Sequence, residues 1–175
     1  SNNIVINMTE NFEEILIKCC VSVFNTFHLH RKESVYQKVL QDELFCHNIK
    51  CKSEECNNIH YKLSDGSVEI LDGGLNYRLD LKYLDTIIEL KSVSHKKDDS
   101  INTDHIEQLC DYMEDMKILY EKQNKNIDNI KDYLINFGNL QLEIYRFQFN
   151  LDDNNNIICK KIHNIKKNIK YKIEL

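Results

Sequence analysis

Between residues 9 and 27, apolar side chains return every three or four positions: Phe12, Ile15, Leu16, Cys20, Val23, Phe24 and Phe27. That spacing lines one face of an α-helix, and Asn11 with Glu14 supplies a capping-box start. Val35, Tyr36, Val39, Leu40 and Leu44 repeat the pattern over about 32–46, predicting a second helix behind a short link at 28–31.

From residue 49 the period drops to two. Short strands are expected over 49–56, 59–63 and 67–71, with turns at Asp65-Gly66 and Asp72-Gly73-Gly74. Residues 75–83 and 86–94 alternate about Leu84-Asp85 and predict a hairpin. A polar loop at 95–100 precedes a second capping-box pattern, Asp104 with Glu107, opening a helix to about Glu121. Ile106, Leu109, Cys110, Met113 and Tyr120 form its inward face. Residues 122–132, rich in Asn and Lys, read as an exposed connection. Strands over 133–137 and 140–149 enclose the Gly138-Asn139 turn. A turn at 152–156 leads into a final basic hairpin, whose end alternates through Ile169, Tyr171, Ile173 and Leu175. This order predicts an α/β fold in one domain over 1–175, with an N-terminal tail at 1–8 and a basic extension at 150–175.

Composition narrows the picture. With 42% apolar and 29% charged residues, the 175-residue chain is globular rather than disordered. It has no apolar run near the roughly 20 residues that span a bilayer and no basic-then-apolar leader. The expectation is a soluble, intracellular protein, cytoplasmic or nuclear and not secreted, with no membrane partner. Seven cysteines, an odd number, do not suggest a disulfide framework. Cys46, Cys51 and Cys56, near His47 and His60, lack tight C-x2-C spacing and read as ordinary thiols rather than a metal cluster. Net charge is −5, yet from Cys159 onward Lys160, Lys161, Lys166, Lys167, Lys170 and Lys172 face only Glu174. Such an acidic body repels nucleic acid until a divalent cation fills an acidic site.

The chemistry concentrates in the hairpin. A turn centred between Leu84 and Asp85 sets Asp80 opposite Glu89, with Cβ atoms roughly 5 Å apart, where like charges are destabilising. Lys91 shares their face, while Leu79, Leu81, Ile88 and Leu90 point to the other, into a core. A divalent cation between the carboxylates would explain the pair, since Mg²⁺ and Mn²⁺ take oxygen ligands. Lysine beside them would offset charge developing on a reacting phosphate. A solvated face with an Asp80–Lys91 or Glu89–Lys82 ion pair is the other reading of the same residues.

Asp80 followed by Glu89-Leu90-Lys91 resembles the D…(D/E)xK signature of the PD-(D/E)XK nuclease superfamily, and Gln108-Leu109-Cys110-Asp111-Tyr112 resembles the QxxxY element of its RecB-like branch. Five ordered blocks resemble the GxxExxY family. They are Glu33-Ser34-Val35-Tyr36, Tyr77-Arg78-x-Asp80, Ile88 through Val93, His105-x-x-Gln108-Leu109-x-x-Tyr112, and Leu134-Ile135-Asn136-Phe137-Gly138. The similarity runs over about 12–147. His30 stands where that family has its first glycine, the 122–132 segment is longer than usual, and the lysine-rich end is an addition.

The resemblance implies a restriction-endonuclease-like core, a central mixed β-sheet flanked by helices, here with a C-terminal β-hairpin extension. It implies a nuclease using Mg²⁺ or Mn²⁺ on nucleic acid, with DNA the expected substrate. Glu33, Asp80 and Glu89 become metal ligands, with the Leu90 carbonyl a further one, and these three acids with Lys91 and Gln108 become the catalytic residues. Gln108, Tyr112, Tyr36, Arg78, Lys166, Lys167, Lys170 and Lys172 are the expected nucleic-acid contacts. The alternative is an inactive module that keeps the fold and binds nucleic acid or protein. The sequence leaves the oligomeric state open, a homodimer included.

Overall fold

The computed structural model describes residues 11–57, 59–71, 77–93, 101–152, 156–168 and 172–175, with side chains outside 54–61 and 70–79. Two helices come first, α1 (Phe12–Thr26) and α2 (Glu33–Cys46). Asn11 caps α1 as its spacing predicts, its side-chain oxygen accepting the Glu14 N–H at 2.9 Å.

Strands β1 (Lys52–Asn57), β4 (Tyr77–Tyr83), β5 (Thr86–Lys91), β6 (Lys131–Phe137), β7 (Gln141–Asn150) and β8 (Asn156–Lys166) form a six-stranded sheet in the order β1-β4-β5-β6-β7-β8. The β5–β6 pair is parallel, and the others are antiparallel. Strands β2 (Ile59–Lys62) and β3 (Val68–Leu71) pair separately, and α3 (Thr103–Lys122) makes the parallel crossover from β5 to β6.

Strand alternation divides the core between the two faces of the sheet. Leu81, Ile88, Leu90, Tyr133, Ile135, Phe137, Leu142 and Ile144 pack with α1 and α2. Ile87, Leu134, Phe147 and Phe149 pack with Leu109, Tyr112, Met113, Met116 and Tyr120 of α3. Each fully buried Leu or Ile contributes about 2 kcal/mol. The expected mixed sheet flanked by helices is therefore what forms.

Three details differ from the sequence reading. Helix α3 is capped by Asn102, which accepts the His105 N–H at 3.2 Å, and not by Asp104. The earlier start seats Ile101 and Ile106 together on the α3-side core, the N′ and N4 positions of a hydrophobic staple. Lys131 and Asp132 belong to β6 rather than to an exposed connection, and Asp132 is buried. The basic extension adds β8 to the sheet edge, and the last β8 pair, Gln141↔Lys166, sits at the start of β7. The Lys167 N–H still donates to the Leu140 carbonyl at 2.7 Å, and Ile173 and Leu175 are exposed instead of packing one face of a terminal strand. Ile169 and Tyr171 lie outside the described residues.

The β4–β5 turn carries Leu84 at φ +52° with its side chain 77% exposed. Left-handed backbone costs a non-glycine residue about 1 kcal/mol, and little packing is at stake here. Leu84→Gly should therefore raise unfolding stability by up to about 1 kcal/mol in urea titrations. A clear loss would show that the leucine packs in a way its exposure does not reveal.

Candidate metal and catalytic site

The β4–β5 register runs Leu81↔Ile88, Lys82↔Ile87 and Tyr83↔Thr86 about the Leu84-Asp85 turn, as the alternation predicts. One step further along it are Asp80 and Glu89. There a side chain joins the backbone bonding: Asp80 Oδ2 accepts the Leu90 N–H at 2.7 Å. The Leu90 side chain is buried in the core, and its backbone pairs with Ile135 between Glu89 and Lys91.

Glu33 opens α2 and approaches the group from the helix. Gln37, one turn later, donates from Nε2 to the Asp80 carbonyl at 2.9 Å. Gln41, a turn further on, donates to the Cys51 carbonyl at 3.0 Å. These two glutamines fasten α2 across the edge of the sheet.

Asp80 and Lys91 both act on Glu89 and on Glu33. Burial, then the Asp80 charge, pushes the Glu89 carboxyl up to about 8 against the pull of Lys91. The same causes in the same order raise Glu33, again opposed by Lys91. Glu89 Oε1 is buried and has no hydrogen-bond partner. A carboxylate oxygen left so is costly unless something else satisfies it.

Carboxylate oxygens of Glu33, Asp80 and Glu89 are hard donors, of the kind that suits Mg²⁺ or Mn²⁺ and not a thiol-seeking ion. Among the described residues, no three His, Cys, Asp or Glu side chains stand in a preformed metal cage. The pair Asp80 and Glu89 with Glu33 beside it suits an ion that uses one or two protein carboxylates and keeps its waters. Cys46 is exposed, burial pushes the Cys51 thiol up to about 11, and the Cys56 side chain lies outside those described.

Gln108 is exposed on α3. Tyr112, one turn on, is 2% exposed within the α3-side core. Tyr36 is 1% exposed, stacked on Phe137 at 4.6 Å, and its hydroxyl accepts the Arg31 N–H. Both tyrosine rings are core residues, and neither offers a face to a nucleic-acid backbone. Lys166 is exposed, and Lys167 holds its Nζ 5.6 Å from the Phe24 ring centroid. Lys172 pairs with Glu174 at 3.1 Å. The Arg78 side chain and Lys170 lie outside what the structure describes.

Sequence reasoning missed two buried acids. Glu143 on β7 is fully buried beside four donors: Asn136 Nδ2 at 3.1 Å, Tyr145 hydroxyl at 2.7 Å, Lys161 Nζ at 3.0 Å and Ile101 N at 3.3 Å. Burial alone would raise its carboxyl, but the side-chain donors outweigh it and hold it below the ordinary range. Asn136 also accepts the Val93 N–H at 3.0 Å and is the strand partner of Lys91. The Asn136–Glu143 pair thus fastens Val93 after β5 and Ile101 before α3. For Glu143 the only signal was being the one acid of β7, among other polar residues of that strand.

Asp132, the second acid, accepts the Ile87 N–H at 2.8 Å. Burial pushes its carboxyl up to about 7, although that hydrogen bond lowers it. The folded state holds this proton more tightly than the unfolded chain, whose Asp titrates near 4. Its contribution is fully present below about pH 4 and is lost as pH rises through about 7. Asp132→Asn should therefore gain stability relative to the parent between pH 5 and pH 8 in urea unfolding. A difference that stays constant across that interval would place the buried proton elsewhere.

A family model described as the PD-(D/E)XK nuclease superfamily matches residues 10–147. No curated protein and no solved structure matches the chain.

Proposed function

Since the chain belongs to the PD-(D/E)XK nuclease superfamily, we propose that it hydrolyses phosphodiester bonds of nucleic acid, DNA foremost, and sits in the GxxExxY branch. The observation that carries this is the buried, unpartnered Glu89 Oε1 beside Asp80 and within the field of Lys91. A strand pair shaped only for stability would not set two carboxylates together and leave one oxygen unsatisfied.

Glu33, Asp80 and Glu89 would hold Mg²⁺ or Mn²⁺, with the Leu90 carbonyl as a further oxygen. When bound, the ion polarises the scissile phosphate and favours deprotonation of an attacking water. Asp80 has one oxygen fixed by the Leu90 amide, so its carboxylate is oriented before any ligand arrives. Lys91 places its ammonium where negative charge grows on the phosphate oxygens. Arg78, Gln108, Lys166, Lys167, Lys170 and Lys172 are proposed to hold the phosphate backbone, in which case binding weakens steeply with salt.

Thermal unfolding with added Mn²⁺ or Mg²⁺ tests the metal. A ligand that binds only the folded form raises the melting temperature as its concentration climbs. Asp80→Asn should abolish that rise. Titration of the unmodified protein with neither a shift nor a heat would remove the basis of the reading.

A further inference from the structure

Glu33 occupies the first turn of α2, where a helix is least secured, and Lys32 at the N-cap position makes no side-chain capping bond. The entry is held by other means, centred on His30. Its Nε2 lies 2.9 Å from the Phe137 carbonyl and 2.7 Å from Ser92 Oγ. Ser92 Oγ in turn lies 2.7 Å from the Arg31 carbonyl.

Chemistry fixes the roles. Carbonyl oxygens only accept, so the Ser92 hydroxyl hydrogen goes to Arg31 and His30 Nε2 carries a proton shared between Phe137 and Ser92. Neutral imidazole protonated at Nε2 and imidazolium both make these bonds. The Arg31 N–H donates to the Tyr36 hydroxyl at 3.0 Å, and Tyr36 stacks on Phe137. Three chain segments are thereby joined at one imidazole.

Their order gives the joint its meaning. His30 lies three residues before Glu33. Ser92 directly follows Lys91, and Phe137 directly follows Asn136, the strand partner of Lys91. Gln37 already ties α2 to the Asp80 carbonyl one turn beyond Glu33. The His30 contacts supply a second attachment on the other side of Glu33, so its position relative to the strands is set at two points.

We propose that His30 and Ser92 are positioning residues that hold Glu33 against Asp80, Glu89 and Lys91. The role rests on the nuclease reading above. Glycine, the residue of the GxxExxY pattern here, has no side chain with which to make this joint. In this chain the imidazole does so from the same position. Misplacing a ligand-bearing group by 1 Å is enough to lose most of a site's function.

The test is Mn²⁺ binding by calorimetry in the full chain, with hydrogen exchange on the metal-free protein alongside. His30→Ala and Ser92→Ala should each weaken Mn²⁺ binding by about 10-fold, the scale for partners one step removed from a metal. His30→Gln, whose amide N–H reaches toward the same acceptors, should restore most of it. In a Glu33→Gln background, His30→Ala should change Mn²⁺ affinity no further. Amides in the first turn of α2 should exchange faster in His30→Ala, with the last turn unchanged. Native affinity in His30→Ala would overturn the role. So would an equal loss with Glu33 already replaced, because the histidine would then act through general packing. If the unmodified protein binds no Mn²⁺, the nuclease reading fails and this role with it. Binding that is indifferent to His30 overturns only the role.

Discussion

Lys91→Ala will lower phosphodiester hydrolysis by about 10²-fold or more while leaving Mn²⁺ binding nearly intact. The lysine lies on the carboxylate face of β5 and supplies positive charge to Glu89 and Glu33 without being one of their oxygens. Its loss removes stabilisation of charge that appears only as the phosphate reacts, so turnover falls and metal affinity does not. Removing a positive neighbour also makes Glu89 and Glu33 harder to ionise, so whatever small loss of affinity occurs should shrink at high pH. Metal titration and single-turnover cleavage on the same preparations separate the two effects. A Lys91→Ala protein that cuts as fast as its parent would remove the lysine from the reaction. Equal residual cutting by Lys91→Ala and Asp80→Ala would identify a contaminating enzyme.

Metal binding will release a proton from Glu89. With that carboxyl pushed up to about 8, it is protonated through the neutral range. A cation needs it ionised. Apparent Mn²⁺ affinity should therefore climb by about tenfold per pH unit below 8 and level off above it. Cleavage at subsaturating metal should follow the same curve. The stability of the metal-free protein has the opposite slope. Its raised carboxyl contributes stability at low pH that is lost as pH rises through about 8, and saturating Mn²⁺ should cancel that loss. Calorimetry in two buffers of different ionisation heat counts the proton. An affinity independent of pH between 6 and 8 would show that Glu89 is not a ligand.

The acidic hairpin could be read from the sequence because strand alternation has a period of two and the turn fixes its phase. Once Leu84-Asp85 is the turn, Leu81↔Ile88 follows, and Asp80, Glu89 and Lys91 share the face opposite the buried leucines. The approach of Glu33 did not follow from periodicity, since it depends on where α2 crosses the sheet. Gln37 and Gln41 help to hold that crossing, through bonds to backbone carbonyls that no pattern marks.

What stayed hidden has a common cause. Asp132 ends an Asn- and Lys-rich stretch and looked like part of a loop, yet its carboxyl is buried on the Ile87 amide. Glu143 looked like the polar side of a strand, yet four donors from four different residues surround it. Each is stabilised by a tertiary partner distant in sequence, and local propensity carries no trace of such a partner. Tyr112 and Tyr36 mislead in the reverse direction. Their places within recognisable blocks suggested ligand contacts, and the packing makes them core. Ile173 and Leu175 continue the alternation of the tail, yet both are exposed.

Glu33, Asp80, Glu89 and Lys91 are proposed to form a metal-dependent phosphodiesterase site. The most direct measurement is digestion of labelled single-stranded, duplex and branched DNA by the purified protein and by Asp80→Asn prepared in parallel. The expected result is cleavage of at least one of these substrates in Mg²⁺ or Mn²⁺, none in a chelator, and none by the variant. No cleavage of any substrate with either ion, or cleavage that survives the chelator or Asp80→Asn, would contradict it.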